Sequence, residues 1–466
     1  MRSEKKMTLP MAVMMGIGAI IGSGLFGSFS AATALCGTGL VIALVIAFLR
    51  SVLTFIPNVT AGNVCPADSA NYRHVTKMSN PYIGFLQVLN GFLNITVIAL
   101  LATVFAVYFG SIVPLLPTKY YAILAIFVFS VISTFGARAS ANLQNILVGI
   151  LILALLSYIV LGLPTMSAEF VTFLDIIHPK ATIMGLIAAS GITGGCMQGG
   201  EILMNFSDEI ENPRRTIPLA YVLSTGIVFV LCVLIAIVTL GNYPYQELKS
   251  LADPAKKFMG SFGSNFFIIG GAVFACLTTI NAVLLSSAHI HAVSAKERIL
   301  PELFDKRNRH GVPYVGLWFN ALAAILLCAF DLPVFTLMTC ASPIALLVNL
   351  SRMIPPYRIP SLYPHSFKRN FFSLNATALR IMVILATILY IITNYAIFLE
   401  LSVLNIIIIA IFLVASYVYF AIRRQWLRKR GIDLFGIMMA PYAPWDEAEQ
   451  AFAAEDAALE AQETTK

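Results

Sequence analysis

The sequence predicts an all-α membrane protein with twelve transmembrane helices, on three observations. Of 466 residues, 59% are hydrophobic and 11% charged, against about 25% charged in a soluble domain. The mean hydropathy is +0.85. Apolar stretches near the ~20-residue length of a spanning helix recur at 10–35, 39–62, 81–113, 119–137, 142–163, 182–206, 216–241, 264–294, 313–330, 332–353, 376–399 and 402–422, which makes twelve. Finally, the connecting segments alternate in Lys and Arg: 22 fall on one side of the membrane and 5 on the other. The rule that basic loops stay in the cytoplasm therefore places both termini there.

These properties bound the function. A net charge of +7 would suggest nucleic acid or a membrane surface in a soluble chain; here its distribution reports orientation, and no nucleic-acid partner is expected. Met1-Arg-Ser-Glu-Lys-Lys6 precedes an apolar run too long for a signal peptide and lacks a small-residue cleavage site, so the first span is read as retained. The absent targeting segment and cytoplasmic termini fit a bacterial inner (plasma) membrane. Seven cysteines lie in or beside apolar segments without metal or disulfide spacing and read as buried thiols. No nucleotide-binding loop, zinc cluster or nucleophile elbow occurs, and the six histidines are scattered. Neither an enzyme nor a cofactor is expected.

Taken in order, residues 1–9 form a short N-terminal tail. The first span carries Gly16-Ile-Gly-Ala-Ile-Ile-Gly-Ser-Gly-Leu-Phe26. Glycine costs a helix roughly 1 kcal/mol relative to alanine, and Gly22-Ser23-Gly24 sets two within three residues. Two readings follow: a helix break that bares backbone to protein, water or ligand, or close packing through small residues without a break. The sixth span repeats the pattern with Gly191, Gly194, Gly195, Gly199 and Gly200 before Glu201. Matched interruptions five spans apart point to a transporter site between inverted halves, 10–163 and 182–353. Half-helix N-termini suit a carboxylate and freed carbonyls an ammonium, a combination that matches an α-amino acid. Residues 376–422 supply two further spans. The tail 423–466 turns acidic from about 431, with eight Asp and Glu against Lys466, and reads as a short helix in a solvated, partly disordered segment.

Several stretches together resemble an amino acid permease of the amino acid–polyamine–organocation family. They are Gly18-Ala-Ile-Ile-Gly-Ser-Gly-Leu-Phe26, Pro66-Ala-Asp-Ser-Ala-Asn-Tyr72, Gly136-Ala-Arg-Ala-Ser-Ala-Asn-Leu-Gln144, Glu209-Ile-Glu-Asn-Pro-Arg-Arg-Thr-Ile-Pro218 and Lys296-Glu-Arg-Ile-Leu-Pro301. The resemblance implies a five-plus-five inverted repeat with helices 1 and 6 broken, two C-terminal helices, and transport by alternating access. It places the substrate α-carboxylate on backbone at Ile21, Gly22, Ser23 and Gly24, and the α-ammonium at Gly199, Gly200 and Glu201. An aromatic gate of many relatives is missing here; Gly195 stands near its position, which implies a roomier or differently closed pocket.

Other polar residues in the spans are read individually. Glu201 is ionisable at membrane depth, which suggests either proton coupling or a structural anchor. Arg50 lies midway along the second span and needs an acid or carbonyl partner, for which Glu201 is a candidate. Asn90 and Asn94 share a helix face, either lining the pocket or bonding between helices. His289 and His291 read as ordinary hydrogen-bonded histidines rather than a proton relay. Sodium-coupled relatives of the implied fold use a hydroxyl pair, which Ala275, Thr278 and Thr279 match, with Gly18 and Ile21 supplying carbonyls; Ser286-Ser287 is a rival. Adjacent hydroxyls more often bond to their own backbone, so proton, sodium or no coupling stays open. If Glu201 is neutral or paired with Arg50, no acid remains for a cationic side chain, and a neutral amino acid is favoured. The alternatives are a cationic amino acid or polyamine exchanger and, from another class, a permease-like sensor or complex subunit that binds without transporting.

Overall fold

The computed structural model describes residues 6–179, 181–330, 334–399 and 403–464, with the side chains of 23, 27, 137–141, 173, 334–342, 393–399, 404 and 463–464 outside the description. The described chain is helical almost throughout, and β-structure among the described residues is confined to two isolated bridges, Met7 with Ile210 and Asp68 with Phe206. Among the described residues, seven stretches are long and apolar enough to cross a membrane: Leu9–Phe26, Ser28–Val64, Pro81–Ile112, Asn142–Thr165, Pro213–Asn242, Gly260–Lys296 and Asn405–Arg428. Thr118–Thr134, Tyr314–Ala329 and Ala376–Ile392 are shorter apolar helices. By this criterion the expected sixth span is missing, because it divides into a helix Ile183–Thr193 followed by 3-10 turns Gly194–Met197, Gly200–Asn205 and Ser207–Glu209.

The first helix, Leu9–Cys36, is central. It packs on the helices Pro213–Asn242, Phe274–Lys296, Ile183–Thr193 and Ala137–Gly162. Its glycines divide between the two readings open in the sequence. Gly16 meets the Ser224 side chain, where a Cβ would lie 2.7 Å from Oγ, so it serves close packing. Gly22 leaves helical geometry altogether (φ 19°, ψ −145°). Both readings hold, at different residues.

The eighth span is the most enclosed, with 89% of its apolar window inside the protein, and it opens a π-turn at Ile268–Val273. Such a turn widens a helix locally and frees backbone groups. Here Gly271 receives the Phe26 ring, 2.8 Å from where its Cβ would stand. By contrast Asn405–Arg428 is 6% buried, and Ile406, Ile407, Ile411, Val414 and Val418 face outward, as expected of a peripheral helix whose solvent is lipid.

The acidic tail forms a helix longer than expected and attached along one side. Ala443–Thr464 is one helix laid against the face of the bundle that carries both ends of the chain. Trp445 is 2% exposed and its indole N–H donates to the Pro66 carbonyl at 2.9 Å. Acidic residues find basic partners there: Asp456 accepts from His365 at 2.6 Å and Arg369 at 2.9 Å. Composition suggested solvation because the acids stand alone in their own segment; their partners lie some 90 residues earlier.

Candidate functional site

The two interrupted segments meet. A Cβ on Gly24 would lie 2.8 Å from the Gly195 carbonyl oxygen, and one on Gly199 would lie 2.5 Å from the Ala19 carbonyl oxygen. Gly199 has φ 122°, a conformation glycine adopts at little cost and other residues avoid. Gly195 is exposed, and a Cβ there would meet nothing within 4 Å. Ile21 is 1% exposed and faces the core, leaving only its backbone to serve a ligand. The Ser23 side chain lies outside the described residues.

Side-chain hydroxyls bond to backbone carbonyls close to both breaks, as burial of polar groups favours. Ser28 Oγ donates to the Gly24 carbonyl and contacts Cys196 Sγ at 3.1 Å. Tyr108 OH donates to the Phe26 carbonyl at 3.1 Å, and Ser51 Oγ donates to Met197 O at 2.9 Å. The Gly199 carbonyl, which the sequence offered as a free acceptor, already receives the Ile202 N–H at 3.1 Å. A 3-10 turn begins directly after the break and spends that lone pair.

Glu201 braces its own break: its Oε2 accepts the Gly199 N–H at 2.8 Å and lies 3.5 Å from Tyr221 OH. Its other oxygen is 3.8 Å from Arg352 Nη1, whose Nε donates to Gln87 Oε1 at 3.2 Å. Arg50 is therefore not its partner. The Arg50 guanidinium fills the space beside Gly194, where a Cβ would overlap it. Sequence could not separate the two arginines, since Arg352 follows a span and reads simply as a basic loop residue.

The hydroxyl pair meets one of its two expected carbonyls, that of Gly18, together with Ala275 O of its own helix; no bond joins it to the Ile21 carbonyl. Thr278 Oγ1 donates toward Gly18 O at 3.2 Å and Ala275 O at 2.9 Å; Thr279 Oγ1 reaches the same two at 2.8 and 3.0 Å. The residue types would fit a sodium ion, and the hydroxyl protons are directed at Gly18 O, one of the carbonyls such an ion would use. Ser286 and Ser287, the rival pair, are committed elsewhere: Asn205 Nδ2 donates to Ser286 Oγ and Asn94 Nδ2 to Ser287 Oγ, each at 2.8 Å. Asn94 thus bonds between helices, while Asn90, on the same face, is half-buried.

The two histidines separate. His291 is buried among Phe92 and Phe304, whereas His289 sits between Asp68 at 3.7 Å and Glu209 at 3.4 Å. Asn71 and Asn205 pair nearby at 3.3 Å. Asp68 and Glu209 stand 141 residues apart in the chain, and their convergence on His289 needed the fold.

The amino acid permease family profile matches residues 8–444. Over 316 residues the chain is 30% identical to an uncharacterized protein of Methanocaldococcus jannaschii, covering 65% of this chain and 72% of that one. It is 23% identical to the methylthioribose transporter of Bacillus subtilis (68% and 73% covered) and 24% identical to a branched-chain amino acid permease of Lactococcus lactis (47% and 48% covered).

Proposed function

The chain belongs to the amino acid permease family of the amino acid–polyamine–organocation transporters and is a membrane transporter of amino acids or related solutes; within that family we propose that it moves neutral amino acids by alternating access. The abutting of the two interrupted segments carries the reading, with Gly24 against Gly195 and Gly199 against Ala19. The substrate α-carboxylate binds backbone N–H groups around Gly22–Gly24, and the α-ammonium faces the 194–201 stretch. In this reading both terminus-bearing segments lie in the cytoplasm, which the Lys and Arg distribution supports.

Charge bookkeeping supports a neutral side chain. Glu201 is paired with Arg352, so the acid nearest the break is already matched, and a buried unpaired cation would find no counter-charge there. The similarity to a branched-chain amino acid permease is in keeping with this, and the open space at Gly195 suits a bulky side chain. A thermal-shift screen of amino acids on the purified protein tests the reading, because a ligand that binds only the folded state raises its stability. Neutral amino acids should stabilise and then exchange across proteoliposomes. Stabilisation without flux would instead identify a sensor, and stabilisation only by lysine or arginine would reverse the charge assignment.

A further inference from the structure

We propose that the C-terminal helix Ala443–Thr464 is a clamp that slows the transport cycle by tying together three elements flanking the broken spans. The proposal rests on the transport reading above for its rate arm. The family profile ends at residue 444, so almost the whole helix lies beyond the part of the chain that the family describes. Its contacts alternate between separate parts of the bundle. Trp445 bonds the Pro66 carbonyl, just after the second span, and its ring lies 5.3 Å from that of His74. Tyr442 lies under the Arg73 guanidinium at 4.6 Å.

One turn on, both Glu449 carboxylate oxygens accept backbone N–H groups, from His365 and Ser366, each at 2.8 Å. Those residues belong to the connector between the tenth and eleventh spans. Phe452 then lies between two guanidiniums, Arg369 of that connector at 4.5 Å and Arg214 at 5.1 Å. Arg214 stands at the start of the seventh span, directly after the interrupted sixth. Asp456 completes the attachment with His365, Lys368 and Arg369. A single rigid helix thus joins the end of the second span, the connector and the segment that follows the break. Charge-assisted bonds of this kind are about twice as strong as neutral ones. If the sixth-span segment moves when the site changes its exposure, Arg214 moves with it and must slide out of the Phe452 contact, which the clamp resists.

The test compares the full chain with a chain ending at Ala440 and with Phe452→Ala, which keeps the Trp445 and Glu449 attachments should the truncation fail to fold. Counterflow of tritiated leucine is measured in proteoliposomes, and backbone hydrogen exchange in nanodiscs. Both variants should raise the initial rate several-fold with unchanged half-saturation, and speed exchange across residues 194–206, beyond the helix's own footprint. An unchanged or lower rate in a monodisperse variant overturns the clamp, as does faster exchange confined to 65–78 and 363–372. Should the full chain carry no leucine, exchange at 194–206 alone decides the clamp, and the absent flux counts against the substrate assignment instead.

Discussion

Gly24 and Gly195 bring the two interrupted segments into backbone contact, with only 2.8 Å between the Gly195 carbonyl oxygen and the place a Gly24 Cβ would occupy. The pair is asymmetric, since the same construction on Gly195 points into open space. Substitution at the two positions should therefore differ in kind. Gly24→Ala must push backbone apart and should cost about 1–3 kcal/mol, lowering the melting temperature with or without ligand. Gly195→Phe should melt like the unaltered protein and lose affinity for large substrates selectively. Equal melting of all three proteins would show that the segments do not touch.

The Glu201–Arg352 pair predicts a charge effect. Arg352→Gln leaves the carboxylate unmatched; the cost should be about 2–3 kcal/mol, below that of a fully buried pair, because the Glu201 side chain keeps 28% exposure. Competition assays should then show lysine gaining on leucine as an inhibitor of uptake. Glu201→Gln added to Arg352→Gln should restore both stability and the preference for leucine, a coupling that a double-mutant cycle reads directly.

At Thr278 and Thr279 the hydroxyls and the carbonyls of Gly18 and Ala275 already satisfy one another. Exchanging potassium for sodium should leave the melting temperature unchanged. Thr279→Val, by orphaning part of a buried carbonyl's bonding, should destabilise by about 1–3 kcal/mol in either salt. A sodium-dependent rise in melting temperature would establish the ion site instead.

Acid should loosen the attachment of the C-terminal helix. Burial lowers the His74 pKa from 6.5 to about 4, while its Nε2 rests 2.6 Å from the Cys65 carbonyl and its ring meets Trp445. A group with a depressed folded-state pKa contributes stability that is complete above its unfolded value and fades as pH falls through the folded one. The window is thus from 6.5 down to about 4, worth roughly 3 kcal/mol at 1.36 kcal/mol per unit. Asp456, held down to about 2 by His365 and Arg369 against an ordinary 3.8, stays ionised in the folded protein across that window and adds to the slope only at its acid end. Tryptophan fluorescence between pH 7 and 4.5 should report release of Trp445, and His74→Asn should flatten the transition.

The sequence by itself determined the membrane class, the family and the candidate breaks, because those depend on composition, on residue order and on what glycine does to its own backbone. Gly22 and Gly199 could be singled out for that reason: the cost of a helix there is local. What only the tertiary structure decided were pairings between residues far apart in the chain. Glu201 found Arg352 rather than Arg50, His289 gathered Asp68 and Glu209 while His291 did not, and Glu449 and Asp456 of the acidic tail met the 365–369 stretch. Each choice turns on which side chains the packing of helices brings within a few ångströms. Coulomb and hydrogen-bond energies fall steeply with distance and solvation, and neither distance nor solvation is written along the chain.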